Sequence, residues 1–342
     1  MARPRGRPGV LARHQLRVPP GDLPTLHVGG WFDLFLRGTL ANFTAMGGHL
    51  VVGPWSHADQ SGVAGEVLHP GGSAQAIGLE QQQLRFLREQ ADEVPSSLPP
   101  VRLYVMGAGW RTEQEWPPAR TDWQTWYFGP GGTLSRELPE AGSAEYVHDP
   151  HDPVPTIGGA ILMAGGPDGG LSWQPGQRDQ RPLDGRTDIL RFTSPALTED
   201  VEVTGPLTVV LHASTSAADT DFTAKLVDVH PDGRALNVAD GVVRARYRSG
   251  MDSPGPVVPG EVHEYVIDVG ATSLVFRAGH RIRVDIASSN FPCFDRNSGS
   301  GKPAGAVTEA DFVSATQRVF FGPPHPSAIR LPVIPSPAGR NQ

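Results

Sequence analysis

The sequence has 342 residues and a formal net charge of −7, and this length is typical of two domains. Its 41 glycines and 34 prolines exceed the usual combined share of about 12%, which argues against a helical bundle and favours many short strands. The acidic balance argues against nucleic acid as a partner, and no apolar run approaches the ~18 residues of a membrane helix.

Cys293 is the only cysteine, which excludes an intramolecular disulfide framework and a multi-cysteine zinc site. Residues 1–17 contain five arginines, but no apolar segment of signal-peptide length follows them. We therefore expect a soluble, cytoplasmic protein of a reducing compartment, with no membrane partner.

The first third of the chain alternates strand-like and helix-like segments. Apolar runs and helical periodicity predict, in order, strand 24–30, helix 31–46, strand 49–53, helix 78–91 and strand 101–107. In the second helix, Leu84, Leu87 and Ala91 form the predicted buried face. This order predicts three parallel strands with helices packed over them.

After about residue 120 the pattern changes to the alternation of half-buried strands. Five such segments, separated by turn signals such as Asp240-Gly241, cover 207–215, 222–229, 241–248, 262–269 and 280–289. In the last one, Arg281, Arg283 and Asp285 form a predicted solvent-facing side. These segments predict an all-β sandwich or jelly roll, and the Gly- and Pro-rich stretch 129–187 is predicted to form surface connections.

Two side chains in the first third have the residue types and spacing of catalytic groups. Asp33 follows the first predicted strand in the segment GGWFD, and His57 follows the second in GPWSH. Reactive groups of open parallel sheets gather at the carboxyl ends of the strands, so both side chains can reach the same edge. Their order in the chain matches the last two members of the Ser–Asp–His triad of α/β-hydrolases.

Each of these residues also has a plainer interpretation. An aspartate at the start of a helix is most often an N-cap that accepts backbone N–H bonds, and most of the 12 histidines are surface or packing residues. The acid pair Asp219 and Asp221 is interpreted as a structural turn rather than a calcium site, because it offers too few oxygen ligands.

No serine of the sequence lies in a G-x-S-x-G segment, the turn that presents the nucleophile of an α/β-hydrolase. Only 32 residues precede Asp33, which is too few for the opening strands, the nucleophile and the oxyanion-hole loop. The residues therefore predict an acid and a base without their nucleophile.

The segments LHVGGWFDLFLRGTLANF and LVVGPWSH, followed in order by similar segments as far as residue 334, resemble the bacterial cocaine esterase / X-prolyl dipeptidyl-peptidase (CocE/NonD) family of serine hydrolases. The resemblance implies an α/β plus all-β chain. Residues 1–119 correspond to the C-terminal part of an α/β-hydrolase catalytic domain, a partial fold of three parallel strands with helices. Residues 120–342 correspond to a C-terminal jelly-roll β-sandwich of the galactose-binding-like type.

The resemblance also implies roles for individual residues. Asp33 matches the triad acid, His57 the triad histidine, and Phe35 an aromatic residue that lines the acyl pocket. Trp31 and Trp55, which lie in the same two motifs, are assigned to substrate binding. No metal or organic cofactor is implied.

The family hydrolyses small esters or X-Pro peptides through an acyl-enzyme, and these are the expected substrates. The family's nucleophile-bearing N-terminal half has no counterpart in this sequence, and the connection before HLVVG is shorter than usual. We expect the chain to be nearly inactive alone, with the serine supplied by a separate N-terminal half or by coding sequence lost at a misplaced start or a frameshift. A non-catalytic β-sandwich binding module and a degenerate hydrolase fragment are the alternatives. The choice between ester and peptide, and the oligomeric state, stay open.

Overall fold

The structure is a computed structural model that describes residues 23–162 and 174–335. The arginine-rich segment 1–17 and part of the stretch 129–187 lie outside the described residues. The N-terminal elements are β1 (Leu26–Phe32), α1 (Leu36–Met46), β2 (His49–Ser56), β3 (Val63–Ala64), β4 (Val67–Leu68), α2 (Leu79–Ala91), β5 (Val101–Val105) and β6 (Gly109–Glu113).

The remaining strands are β7 (Asp122–Gly129), β8 (Thr133–Ser135), β9 (Gly142–His148), β10 (Leu190–Thr193), β11 (Val201–Thr215), β12 (Asp221–Val229), β13 (Ala235–Arg244), β14 (His263–Phe276), β15 (Arg281–Ala287), β16 (Ala315–Phe321) and β17 (Ala328–Ile334). Short 3₁₀ turns at 130–132, 181–183, 245–247, 304–306 and 309–311 lie between them.

The first sheet has the strand order β1-β2-β5-β6. β1 runs parallel to β2, with Leu26 opposite His49, and β2 runs parallel to β5, with Leu50 opposite Val101. The three parallel strands predicted from the sequence are therefore present, each within a few residues of its predicted bounds. β6, which pairs antiparallel with β5, was not predicted.

The predicted buried face of the second helix is wrong. In α2 the buried side chains are Leu79, Gln82 and Phe86, which recur at helical spacing on one side. Leu84 and Leu87 lie on the other side and are 47% and 62% exposed. Phe86 packs its ring edge against His49 of β2, so the largest apolar side chain of the helix determines which face is buried.

The second sheet follows the order β13-β12-β15-β10-β8-β7-β17-β11-β16-β9, and β14 pairs with β11. The predicted strand 241–248 is wrong at its end, because β13 stops at Arg244 and a 3₁₀ turn follows. The predicted turn Asp240-Gly241 instead lies inside β13. A Cβ atom on Gly241 would lie 1.9 Å from the Asp268 carbonyl oxygen, so the close approach of β14 requires glycine there.

The solvent-facing side predicted for β15 is correct at Arg281, which is exposed, and wrong at the next two charged residues. Arg283 and Asp285 are each 7% exposed and form an ion pair, with Arg283 Nε 2.8 Å from Asp285 Oδ1. Val154, Leu183 and Ile189 pack together with Ala287 of β15 and cover this region of the sheet. Part of the stretch 129–187 therefore forms β8, β9 and this cover instead of surface connections.

The two sheets share one hydrophobic core, which contains Leu50 and Leu103 of the first together with Val203 and Phe276 of the second. Backbone hydrogen bonds at Met106 also join the end of β5 to β14. No helix in the described residues is long and apolar enough to cross a membrane.

Candidate active site

Two glycines allow the ends of β1 and β2 to come together. A Cβ atom on Gly30 would lie 2.2 Å from the Trp55 carbonyl oxygen, and one on Gly53 would lie 2.2 Å from the Trp55 ring. After this close approach the chain turns, and the Asp33 N–H donates to the Gly30 carbonyl at 3.0 Å. The turn positions Asp33 at the carboxyl end of β1, next to the carboxyl end of β2.

Asp33 and His57 form a hydrogen-bonded pair at this edge. His57 Nδ1 lies 3.3 Å from each carboxylate oxygen of Asp33. The Phe35 N–H donates to Asp33 Oδ1 at 2.8 Å, which fixes the carboxylate. The Asp33 side chain is 17% exposed and that of His57 is 44% exposed, so the imidazole is partly accessible to a reacting group. A carboxylate that holds Nδ1 in this way selects the tautomer in which Nε2 is the base.

The three aromatic residues predicted to bind substrate lie in different environments. Phe35 is 57% exposed and meets the His57 ring edge-on, with ring centroids 5.0 Å apart. Trp31 is buried against Trp116, and its indole N–H donates to the Tyr104 carbonyl. Trp55 is 1% exposed, so in this structure its ring packs in the interior and presents no face to a ligand.

A cavity of about 520 Å³ lies between the Asp33 turn and the second sheet. Its walls are mostly apolar and come from residues 31–37, 156–162, 238–240, 269–271 and 292–294. Trp31 and Asp33 line it, whereas Phe35 and Trp55 do not. His57 does not line it, so the cavity meets the acid–base pair only at Asp33. An apolar cavity with a few polar groups is a typical small-molecule site.

Sequence reasoning missed two polar residues of this region, Asp240 and Cys293, which both line the cavity. Burial raises the pKa of the Asp240 carboxyl, an effect that the charges of Lys225 and Arg37 oppose. Burial raises the pKa of the Cys293 thiol to about 11, so it stays protonated at neutral pH and is a poor nucleophile. Asp240 was hidden in an apparent turn signal, and the sequence held no other sign of its position.

The acid pair Asp219 and Asp221 has a structural setting. Asp219 Oδ2 accepts a hydrogen bond from Arg246 Nε at 2.7 Å, and both oxygens of Asp221 bind Arg244. The amide of Asn297 donates to both carboxylates. Their charges are thus neutralised within the protein, in agreement with the structural interpretation.

Residues 93–330 match the family model described as the X-Pro dipeptidyl-peptidase C-terminal non-catalytic domain. The chain belongs to this family. Cocaine esterase from Rhodococcus sp. (strain MB1 Bresler) is 41% identical over 333 residues, which cover 91% of this chain and 56% of that protein. The resemblance recognised from the sequence is confirmed, and the chain spans about half the length of the curated relatives it matches.

Solved structures of family relatives give the same picture. An aminopeptidase from the marine sediment archaeon Thaumarchaeota archaeon superposes with a TM-score of 0.81 and 30% identity, over 96% of this chain and 57% of that one. An α-amino acid ester hydrolase gives a TM-score of 0.79 and 30% identity, over 91% of this chain and 55% of its own. Members of this family are thus related to hydrolases of esters and peptides.

Proposed function

We propose that this chain supplies the acid and base of a serine hydrolase, Asp33 and His57, and that its β-rich part forms one wall of the acyl pocket. The substrate class is a small ester or an X-Pro peptide, cleaved through an acyl-enzyme. The observation that carries the proposal is the contact of His57 Nδ1 with the Asp33 carboxylate, in an imidazole that is partly exposed.

The nucleophile comes from polypeptide outside this sequence. Ser56 is next to His57, but its side chain is buried, and a neighbouring hydroxyl cannot easily reach the far nitrogen of that ring. In the described part of the chain, His57 has its only side-chain hydrogen bond with Asp33. A serine brought within hydrogen-bond reach of His57 Nε2 would complete the triad.

The first sheet offers a place for the absent half. Among the described residues, β1 pairs with β2 on one side and with no strand on the other. An open edge of this kind is a template for further strands. We therefore assign residues 1–119 to the C-terminal part of an α/β-hydrolase domain and residues 120–342 to a jelly-roll domain, with the remaining strands joining at β1.

Co-expression with an N-terminal hydrolase half tests the proposal. The chain alone is expected to hydrolyse a chromogenic ester or an X-Pro amide at close to the background rate. Together with an N-terminal half from a family relative, it is expected to turn over at least one of these substrates. Equal turnover by the purified chain alone would contradict the missing nucleophile.

Variants of the acid separate catalysis from folding. In the complemented enzyme, Asp33→Asn is expected to lower kcat by about 10⁴-fold, because the amide no longer selects the reactive tautomer of His57. The matched control is Asp59→Asn, an acid of the loop after β2 that is outside the pair. A loss below about tenfold in Asp33→Asn would remove Asp33 from the triad.

A second candidate function is a non-catalytic binding module. It is favoured because the matched family model is described as non-catalytic and its range, 93–330, excludes both Asp33 and His57. Under this alternative, glycan binding measured by calorimetry would survive Asp33→Ala and His57→Ala. Absence of glycan binding, together with turnover in the complemented enzyme, would decide for the hydrolase.

A further inference from the structure

A second cluster of reactive side chains lies outside the active site. Asp228 is near the end of β12, His230 follows that strand, and His280 precedes β15. His280 Nδ1 lies 2.9 Å from Asp228 Oδ1, and His230 Nε2 lies 3.4 Å from Asp228 Oδ2. One ligand atom from each of the three residues lies within 4.8 Å of the other two. None of the three lines the cavity beside Asp33.

Short turns hold the two imidazoles in place. The His230 N–H donates to the Arg234 carbonyl at 2.8 Å, and the His280 N–H donates to the Arg277 carbonyl at 3.0 Å. Asp228 lies opposite Ile282 in the β12–β15 ladder and is therefore fixed by the sheet. The cluster thus joins two turns whose backbones are held by hydrogen bonds.

Hydrogen bonding leaves part of this cluster unsatisfied. His230 Nε2 is buried but has no hydrogen-bond partner among the described residues. The side chains of Asp228 and His280 are 6% and 13% exposed, so water has limited access. A buried polar atom without a partner is costly, and a bound ion would remove that cost.

Two imidazoles and a carboxylate are preferred ligands of first-row transition metals, and zinc accepts all three. Ligand atoms bound to zinc at about 2.1 Å in a tetrahedron lie about 3.4 Å apart. His280 Nδ1 lies 2.9 Å from Asp228 Oδ1 and His230 Nε2 lies 3.4 Å from the other oxygen, Oδ2, so each imidazole nitrogen is close to that spacing from one carboxylate oxygen. The three ligand atoms, one from each residue, all lie within 4.8 Å of one another. Three protein ligands leave a fourth position for water or another group.

We propose that Asp228, His230 and His280 bind one Zn²⁺ ion, which connects the turn after β12 to the turn before β15. The site is independent of the hydrolase proposal, because it uses no residue of the Asp33–His57 pair. Its consequence is a metal-dependent stabilisation of one end of the β-rich part, since an ion that binds only the folded chain raises its stability.

A zinc titration of the full chain tests the site. The protein, free of affinity tags and dialysed against a chelator, is titrated with Zn²⁺ in competition with a chromogenic zinc indicator. We expect one Zn²⁺ per chain with a Kd of about 10 μM or tighter, and a melting temperature that rises with Zn²⁺. Binding weaker than about 1 mM would overturn the proposal.

Histidine variants identify the ligands. His230→Gln and His280→Gln are each expected to weaken Zn²⁺ binding by about 100-fold, and to abolish the rise in melting temperature. The matched control is His325→Gln, from the other close histidine pair His212–His325, and it should leave binding unchanged. Circular dichroism verifies that each variant is folded. Unchanged binding in both ligand variants would show adventitious binding elsewhere and contradict the site.

Discussion

The Asp33 carboxylate has two partners at once, the Phe35 N–H and the His57 ring. Oδ1 accepts the Phe35 N–H, and the same carboxylate contacts His57 Nδ1. The plainer interpretation of Asp33 as an N-cap is therefore close to the truth but incomplete. The N-cap of α1 is Phe35, and Asp33 lies two residues earlier, in the turn that positions the acid.

Trp55 provides a prediction about packing beneath the pair. Its indole N–H donates to the carbonyl of buried Gly72 at 2.7 Å. Trp55→Phe is expected to lower the free energy of unfolding by about 2–4 kcal/mol, because it leaves that carbonyl unpaired and opens a cavity. Urea unfolding measures the change.

The matched control is Trp110→Phe. Trp110 makes the same bond to the exposed Gly71 carbonyl, where water can replace the indole. The loss of unfolding free energy in Trp110→Phe is expected to be smaller than that in Trp55→Phe by at least about 1 kcal/mol. Equal losses in the two variants would refute the argument from burial.

The buried His69 is expected to make the free energy of unfolding sensitive to acid. Burial lowers its pKa from 6.5 to about 4. Above pH 6.5 the imidazole is neutral in both the folded and the unfolded chain, so protonation of His69 does not lower the free energy of unfolding. As the pH falls from 6.5 towards 4, the unfolded chain takes up the proton first and stability is lost.

Between pH 7.5 and pH 5, His69 is expected to account for a loss of about 2 kcal/mol in the free energy of unfolding. His69→Gln should reduce the difference between those two pH values by that amount, as measured by urea unfolding. The same difference in His69→Gln and in the wild type would show that His69 titrates normally.

At the scale of elements, α2 gives a prediction in which the sequence and the structure disagree. Phe86→Ala is expected to cost about 3–5 kcal/mol of unfolding free energy, because its ring is 7% exposed. Leu87→Gln, on the exposed face, is expected to change it by no more than about 0.5 kcal/mol. Thermal or urea unfolding measures the two losses. A larger loss in Leu87→Gln than in Phe86→Ala would support the buried face predicted from the sequence.

The elements around the candidate site were predictable because their signals are local. Apolar runs that end in glycine fixed β1 and β2, and the catalytic residue types followed each run directly. The buried face of β15 was not predictable in this way. Asp285 lines one small cavity together with Val154, Leu183 and Ile189, which lie about a hundred or more residues earlier in the chain. No local pattern records such a cover, so alternating charges resembled a solvent-facing side.

The protection of backbone amides from hydrogen exchange is expected to differ between the N-terminal and C-terminal parts of the chain. Strands β1, β2 and β5 belong to a small sheet whose β1 edge is open among the described residues. Amide hydrogen exchange should therefore be faster in residues 23–119 than in 120–162 and 174–335, because local opening is easiest where few partners hold the backbone. Under the proposed function, adding an N-terminal hydrolase half should slow exchange in β1. Uniform protection along the chain would contradict an incomplete sheet.

The cavity beside Asp33 has walls from stretches about 200 residues apart, 31–37 on one side and 238–240 and 269–271 on the other. Its shape therefore depends on two distant parts of the sequence, each of which supplies one wall. A chimaera that joins the first 120 residues of one relative to the remainder of another would combine two cavity walls that did not evolve together. Such walls are expected to fit each other, and a ligand, poorly. Under the proposed function, changing the substrate preference of this cavity would require the exchange of both stretches together.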